Sequence, residues 1–140
     1  MAYSLNDPYR SLRLVMRIDG VLVGAGLGLL LTFLPNRSFA SLGLAVAEPG
    51  WTARLAGLLL VTLGIYFFMA AEQSPPVLAT LVALALANLA VALVLLTAYL
   101  QLELTGLTVL GQFLLVFLFA FCLMTALLSI RFMRSEARYL

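Results

Sequence analysis

Four polar side chains fall at comparable depth inside long apolar runs: Thr62, Tyr66, Asn88 and Gln112. Asn88 stands almost at the middle of its run, where an amide must find a hydrogen-bond partner worth about 0.6–2 kcal/mol. Thr62, Tyr66 and Gln112 are within its reach by depth. The four therefore make a candidate polar cluster: an interhelical clasp, a contact for a quinone or another small apolar ligand, or a pore lining. A second set is charged. Asp19 stands at the end of the first run, near the level expected for Arg131, and a pair between them would tie the first segment to the last. Arg54 has Glu48 and Glu103 as candidate partners. Each set reads as an interfacial ion pair, with an anionic headgroup as the other ligand for Arg54.

Catalysis has little to work with. The chain holds no histidine and one cysteine, Cys122, inside an apolar run. That removes His-ligated haem, zinc and an internal disulfide, and Cys122 reads as a small buried hydrophobe. No Ser-His pair, Cys-His pair or close carboxylate dyad appears. The expectation is a non-enzymatic protein with no catalytic residues, no cofactor and no metal site.

The stretch Gly20 to Gly28, GVLVGAGLG, raises a different chemistry. A dinucleotide fingerprint needs Gly-x-Gly-x-x-Gly between a strand and a helix. Gly24 and Gly26 supply two positions, but Leu29 occupies the third, and no Gly-Lys-Ser/Thr follows for a P-loop. Read as a helix, Gly20, Gly24 and Gly28 line one face and let another backbone approach. Ala79, Ala83 and Ala87 form a matching strip, and Gly57 and Gly64 a further one. These faces join helices inside one bundle, form a homo-oligomer seam, or make a groove for a lipid or isoprenoid tail.

The elements that must position these residues follow from composition. Of 140 residues, 64% are hydrophobic and 10% charged, against about 25% charged in soluble domains. Part of the solvent must be lipid. Four segments are long enough to span a bilayer: about 18–34, 52–71, 77–100 and 105–130. The fold expected is all-α, a four-transmembrane-helix bundle in one domain, 1–140. A short interfacial helix over about 38–47 is expected to lie between the first two spans, capped by Ser38.

Arg10, Arg13, Arg17, Arg131, Arg134 and Arg138 flank the outer ends of the first and last spans, against Arg37 and Arg54 at the opposite side. The positive-inside rule places both termini in the cytoplasm. The "AVA" at 45–47 imitates a signal-peptide cleavage site. It lies too far past Leu34, so the first segment is expected to stay and to span. The arginines edge apolar runs and do not cluster with exposed aromatics, which argues against nucleic acid.

The stretch ARLAGLLLVTLGIYFFMAA (53–71), with Arg54, Gly57, Gly64 and Tyr66, resembles the second helix of small bacterial four-helix membrane proteins of the DoxX-like type. The resemblance implies an accessory membrane subunit in the bacterial cytoplasmic (inner) membrane. Some members are similar to subunits that pass electrons from quinol alongside partner proteins, and the lack of histidine puts a direct redox role in doubt. The function expected is a small accessory or scaffold subunit that packs in the bilayer, among membrane lipids, against itself or a larger complex. The alternative is a binding module for a lipid, quinone or other apolar molecule in the bundle core. A small multidrug-type transporter ranks below both, because it needs a carboxylate deep in the membrane and Asp19 reads as lying at an edge.

Overall fold

The computed structural model describes residues 9–43, 50–73, 77–101 and 104–136. Four helices are long and apolar enough to cross a membrane: Arg10–Phe33, Trp51–Ala70, Leu78–Leu100 and Val109–Arg134. This is the all-α architecture of a multi-pass membrane protein. The second and third begin and end within a residue of the expected bounds. The first and fourth do not.

The first helix starts at Arg10, well before Ile18, where apolar character begins. Hydropathy stops at the arginines, but helical periodicity does not. Leu12, Met16 and Asp19 recur at i, i+4 and i+7 and are buried, while Arg10 and Arg17 point outward. That amphipathic stripe carries the helix past its charged residues. The same reason extends the fourth helix beyond Ile130, to Glu136.

The first helix is also not uniform. Arg10–Asp19 is α, Gly20–Leu27 is π-helical, and Gly28–Phe33 is α again. The glycine run thus lies in a wider turn, whose backbone bonds reach five residues instead of four. The helix ends where Leu34 turns extended before Pro35, as the residue ahead of a proline prefers.

A six-residue helix, Asn36–Ser41, follows. It starts before the expected position, and Ser38 does not cap it. Ser38 instead lies inside and accepts the Ser41 hydroxyl on its carbonyl at 2.7 Å. Phe39 is buried, and residues 44–47 of the expected interfacial helix lie outside the described residues. Gly43 takes a left-handed φ of +79°, a conformation that costs glycine nothing. Its Cβ position is filled by Gly106, so the two loops at this end touch backbone to backbone. The Thr108 amide donates to the Leu42 carbonyl at 3.2 Å and completes that tie.

Gly20, Gly24 and Gly28 pack on the second helix, not on the alanine strip of the third. A Cβ on Gly20 would sit 2.7 Å from the Gly64 carbonyl oxygen, and one on Gly28 2.8 Å from the Gly57 carbonyl oxygen. A Cβ on Gly64 would sit 2.6 Å from the Gly24 Cα. Of the strip Ala79, Ala83 and Ala87, Ala79 is exposed and the other two support the core. The third helix pairs chiefly with the fourth, which offers the small face Cys122, Thr125, Ala126 and Ser129.

Two apolar layers join the hairpins. At the arginine end, Leu12 and Met16 meet Phe67, Ala70, Leu81 and Leu84, with Phe132 and Met133 against them. The first turns of the first helix and the last turns of the fourth therefore share one end of the bundle. Nearer the other end, Val23, Ala92 and Cys122 pack with Leu60, Val91 and Leu118. Trp51 and Tyr99, both exposed, mark that far end. Most large apolar side chains face outward, as expected where lipid replaces water around a bundle.

Candidate functional site

Asp19 is the last residue of the first α segment, just before the π turn. It is 3% exposed, and Asn88 is 2% exposed. Asp19 is the tenth residue of a 24-residue helix and Asn88 the eleventh of a 23-residue one. At 1.5 Å per residue each lies about 14–15 Å from its helix start. Each therefore stands near the middle of its helix, although the apolar run of the first begins only at Ile18.

The two side chains meet. Asn88 stands beside the Asp19 carboxyl, and its amide nitrogen donates to the Leu84 carbonyl at 3.1 Å. Two acceptor atoms are left over. Asp19 Oδ1 and Asn88 Oδ1 are buried with no hydrogen-bond partner. Buried polar atoms are nearly always bonded, and in lipid no bulk water makes up the loss.

A cavity of about 20 Å³ opens at this point, lined by Asp19, Val23, Gly24, Gly64, Asn88 and Val91 among others. Its walls come from the first, second and third long helices. Apart from the carboxyl and the amide they are apolar. That volume accommodates one water-sized species. Gly24 and Gly64 help to form it, because their contact fixes how close the first two helices come.

The other expected members of the polar cluster lie elsewhere. Tyr66 bonds Thr80 across the second and third helices, oxygen to oxygen at 2.9 Å. Thr62 is exposed and donates to the Leu58 carbonyl of its own helix at 2.9 Å. Gln112 is exposed near the far end and reaches the Leu107 carbonyl at 3.4 Å. Asn88, Thr62, Tyr66 and Gln112 thus do not converge. Each helix is rotated so that only Asn88 looks into the centre.

The ion pairs fare similarly. Arg131 is exposed, and Asp19 stands beside Asn88 instead. Arg54 is exposed, and its expected partners Glu48 and Glu103 lie outside the described residues. Arg17 sets its guanidinium 6.0 Å from the centre of the Phe68 ring, a cation–π contact between the first two helices. Cys122 is fully buried in the second apolar layer. Thr125, also fully buried, has an unpartnered hydroxyl, while its carbonyl accepts from Ser129 at 2.9 Å.

Sequence reasoning missed the Asp19–Asn88 pair, yet a signal for it exists. Leu12, Met16, Asp19 and Val23 form one stripe, so Asp19 occupies a core position in an otherwise apolar series. A wider cleft of about 260 Å³ lies between the third and fourth helices, walled by Leu95, Leu96, Tyr99, Leu115, Val116 and Phe119. It is almost wholly apolar, with Tyr99 as the one lining residue that carries a polar side-chain atom. Among the described residues no cluster of three metal-binding side chains occurs. No protein-family model, curated protein or solved structure matches the chain.

Proposed function

We propose that this chain is a non-enzymatic membrane protein that works by binding, with Asp19 and Asn88 holding a small polar guest between its first three long helices. The observation that carries the reading is the pair of orphaned oxygens on two residues that line one cavity. Each such atom costs about 1–3 kcal/mol when unmet. Ionisable groups inside a membrane are expensive and mark sites of function. The cavity size favours a water-sized guest over the quinone or lipid tail expected in the bundle core. A carboxyl beside an amide, with no base or nucleophile among the lining residues, supports holding over turnover.

The subunit reading remains a second proposal. The fourth helix leaves Val109, Phe113 and Val116 strongly exposed along one flank, a surface on which a partner helix or a second copy would dock within the bilayer. The DoxX-like resemblance points the same way. Under the arginine bias, both readings put the termini in the cytoplasm of a bacterium, with the bundle in its inner membrane.

One experiment separates them: thermal unfolding in nanodiscs across a panel of salts, amines and quinones, with native mass spectrometry of the protein from its own membrane. A guest at 100 times its Kd stabilises by about 2.7 kcal/mol. Stabilisation by a small polar guest that vanishes in Asp19→Asn supports the binding reading. Co-purifying protein chains, unaffected by Asp19→Asn and with no guest effect, would sink it in favour of the subunit.

A further inference from the structure

Resting on that binding reading, we propose that the guest at Asp19 and Asn88 is a single positive charge, a proton carried by the Asp19 carboxyl. Three observations converge on it. The free atoms, Asp19 Oδ1 and Asn88 Oδ1, are both oxygens, and one of the two Asn88 amide hydrogens goes to the Leu84 carbonyl. What completes the site must donate hydrogen bonds or carry positive charge. An anion or a second acceptor would be repelled.

The second observation is charge. A carboxylate carried into an apolar medium is unfavourable unless paired or neutralised. The lining supplies no cation: besides Asp19 and Asn88 it consists of apolar side chains and two glycines. The titratable groups on the packed elements lie off the cavity. On the first helix Arg10 and Arg17 are exposed and Arg13 is not among the lining residues; on the second, Tyr66 is bonded to Thr80, and Arg54 and Glu72 are exposed. Within the third only Tyr99, at its exposed far end, titrates; the fourth holds buried Cys122 and exposed Arg131 and Arg134. The positive charge has to come from the guest.

The third is size. About 20 Å³ holds one water-sized particle, which suits a proton carried by the carboxyl with a water beside it. A substituted amine or a drug-like cation is too large. The wall cannot simply collapse onto a smaller guest, because the Gly24–Gly64 contact already holds the helix backbones against each other.

The test uses carboxyl-carbon NMR of Asp-labelled protein in nanodiscs. The chain has two aspartates, Asp7 and Asp19, so Asp7→Asn leaves Asp19 as the sole aspartate signal. The pH is varied in buffers of a bulky organic cation, and sodium and potassium chloride are then added at fixed pH. A signal that moves between neutral and ionised positions with pH, indifferent to salt, identifies a proton. One that moves with sodium or potassium at fixed pH shows a metal ion in its place and overturns the proton. Asn88→Leu is expected to shift the midpoint of the pH titration about tenfold or more. A carboxyl that stays ionised at every pH overturns the proposal as well. If a neutral guest still stabilises the protein under those conditions, the binding reading survives; if none does, both fall.

Discussion

The seam between the first and second helices and the junction between the first and third are built on opposite terms. At the seam, Gly20, Gly24 and Gly28 meet Gly57 and Gly64 backbone against backbone, with Val61 and Thr32 as the side chains nearest the glycines. Every polar group there is spent inside its own helix, and Thr32 even returns its hydroxyl to the Gly28 carbonyl at 2.8 Å. At the junction one carboxyl meets one amide, and two oxygens and a hole are left over. The difference teaches why the hole persists. A backbone contact has no slack, so it fixes the spacing of the first two helices. The polar pair beside it cannot draw the helices inward to satisfy itself. The tight seam preorganises the loose junction.

The largest effect should come from breaking the seam. Gly64→Leu places a branched side chain where the Gly24 backbone stands, and should cost about 3 kcal/mol or more in reversible unfolding in mixed micelles. A change below about 1 kcal/mol would mean that the backbones are not in contact, and the contrast drawn above would fail. Next comes the junction. Asn88→Leu leaves the buried carboxyl without its amide and should cost about 2 kcal/mol in the same assay. Adding Asp19→Leu removes the carboxyl too, and should return stability to the wild-type level or above it. A double variant no better than the single one would show that the pair stabilises the bundle outright.

Smaller effects sharpen the picture. Tyr66→Phe removes the bond to Thr80 and should cost about 0.6 kcal/mol. Thr62→Ala and Gln112→Ala touch exposed groups bonded only to neighbouring carbonyls. Each should change stability by less than about 0.5 kcal/mol. A larger loss at Gln112 would restore it as a partner of the centre and weaken the assignment to Asp19 and Asn88.

Hydropathy made the four helices legible, because length and apolar composition alone decide what can cross a bilayer. It misled at Arg10–Arg17, where charge masked a continuing amphipathic repeat. That boundary hid the inward-facing place of Asp19, which shares the buried stripe of Leu12 and Met16. Depth alone then suggested the wrong company for Asn88. Thr62, Tyr66 and Gln112 share its apolar surroundings in sequence, but rotation about each helix axis decides which side chain faces inward, and rotation is set by packing. The glycine faces were legible as contact surfaces. Their pairing was not, since Gly57 with Gly64 and the alanine strip of the third helix offered equivalent small-residue ladders. Nothing in the residue types announced the π turn.

That π turn has a mechanical consequence. A residue in an α-helix advances 100° about the axis, and one in the wider π turn advances less. Eight residues, Gly20–Leu27, therefore store an angular offset between the two ends of one helix. Were the segment to rewind to α geometry with Gly28 held against Gly57, everything before Gly20 would swivel. Asp19, one residue away, would turn with it, away from its place beside Asn88. The first helix is a rod with a rotary joint, and its one acid is mounted at the joint.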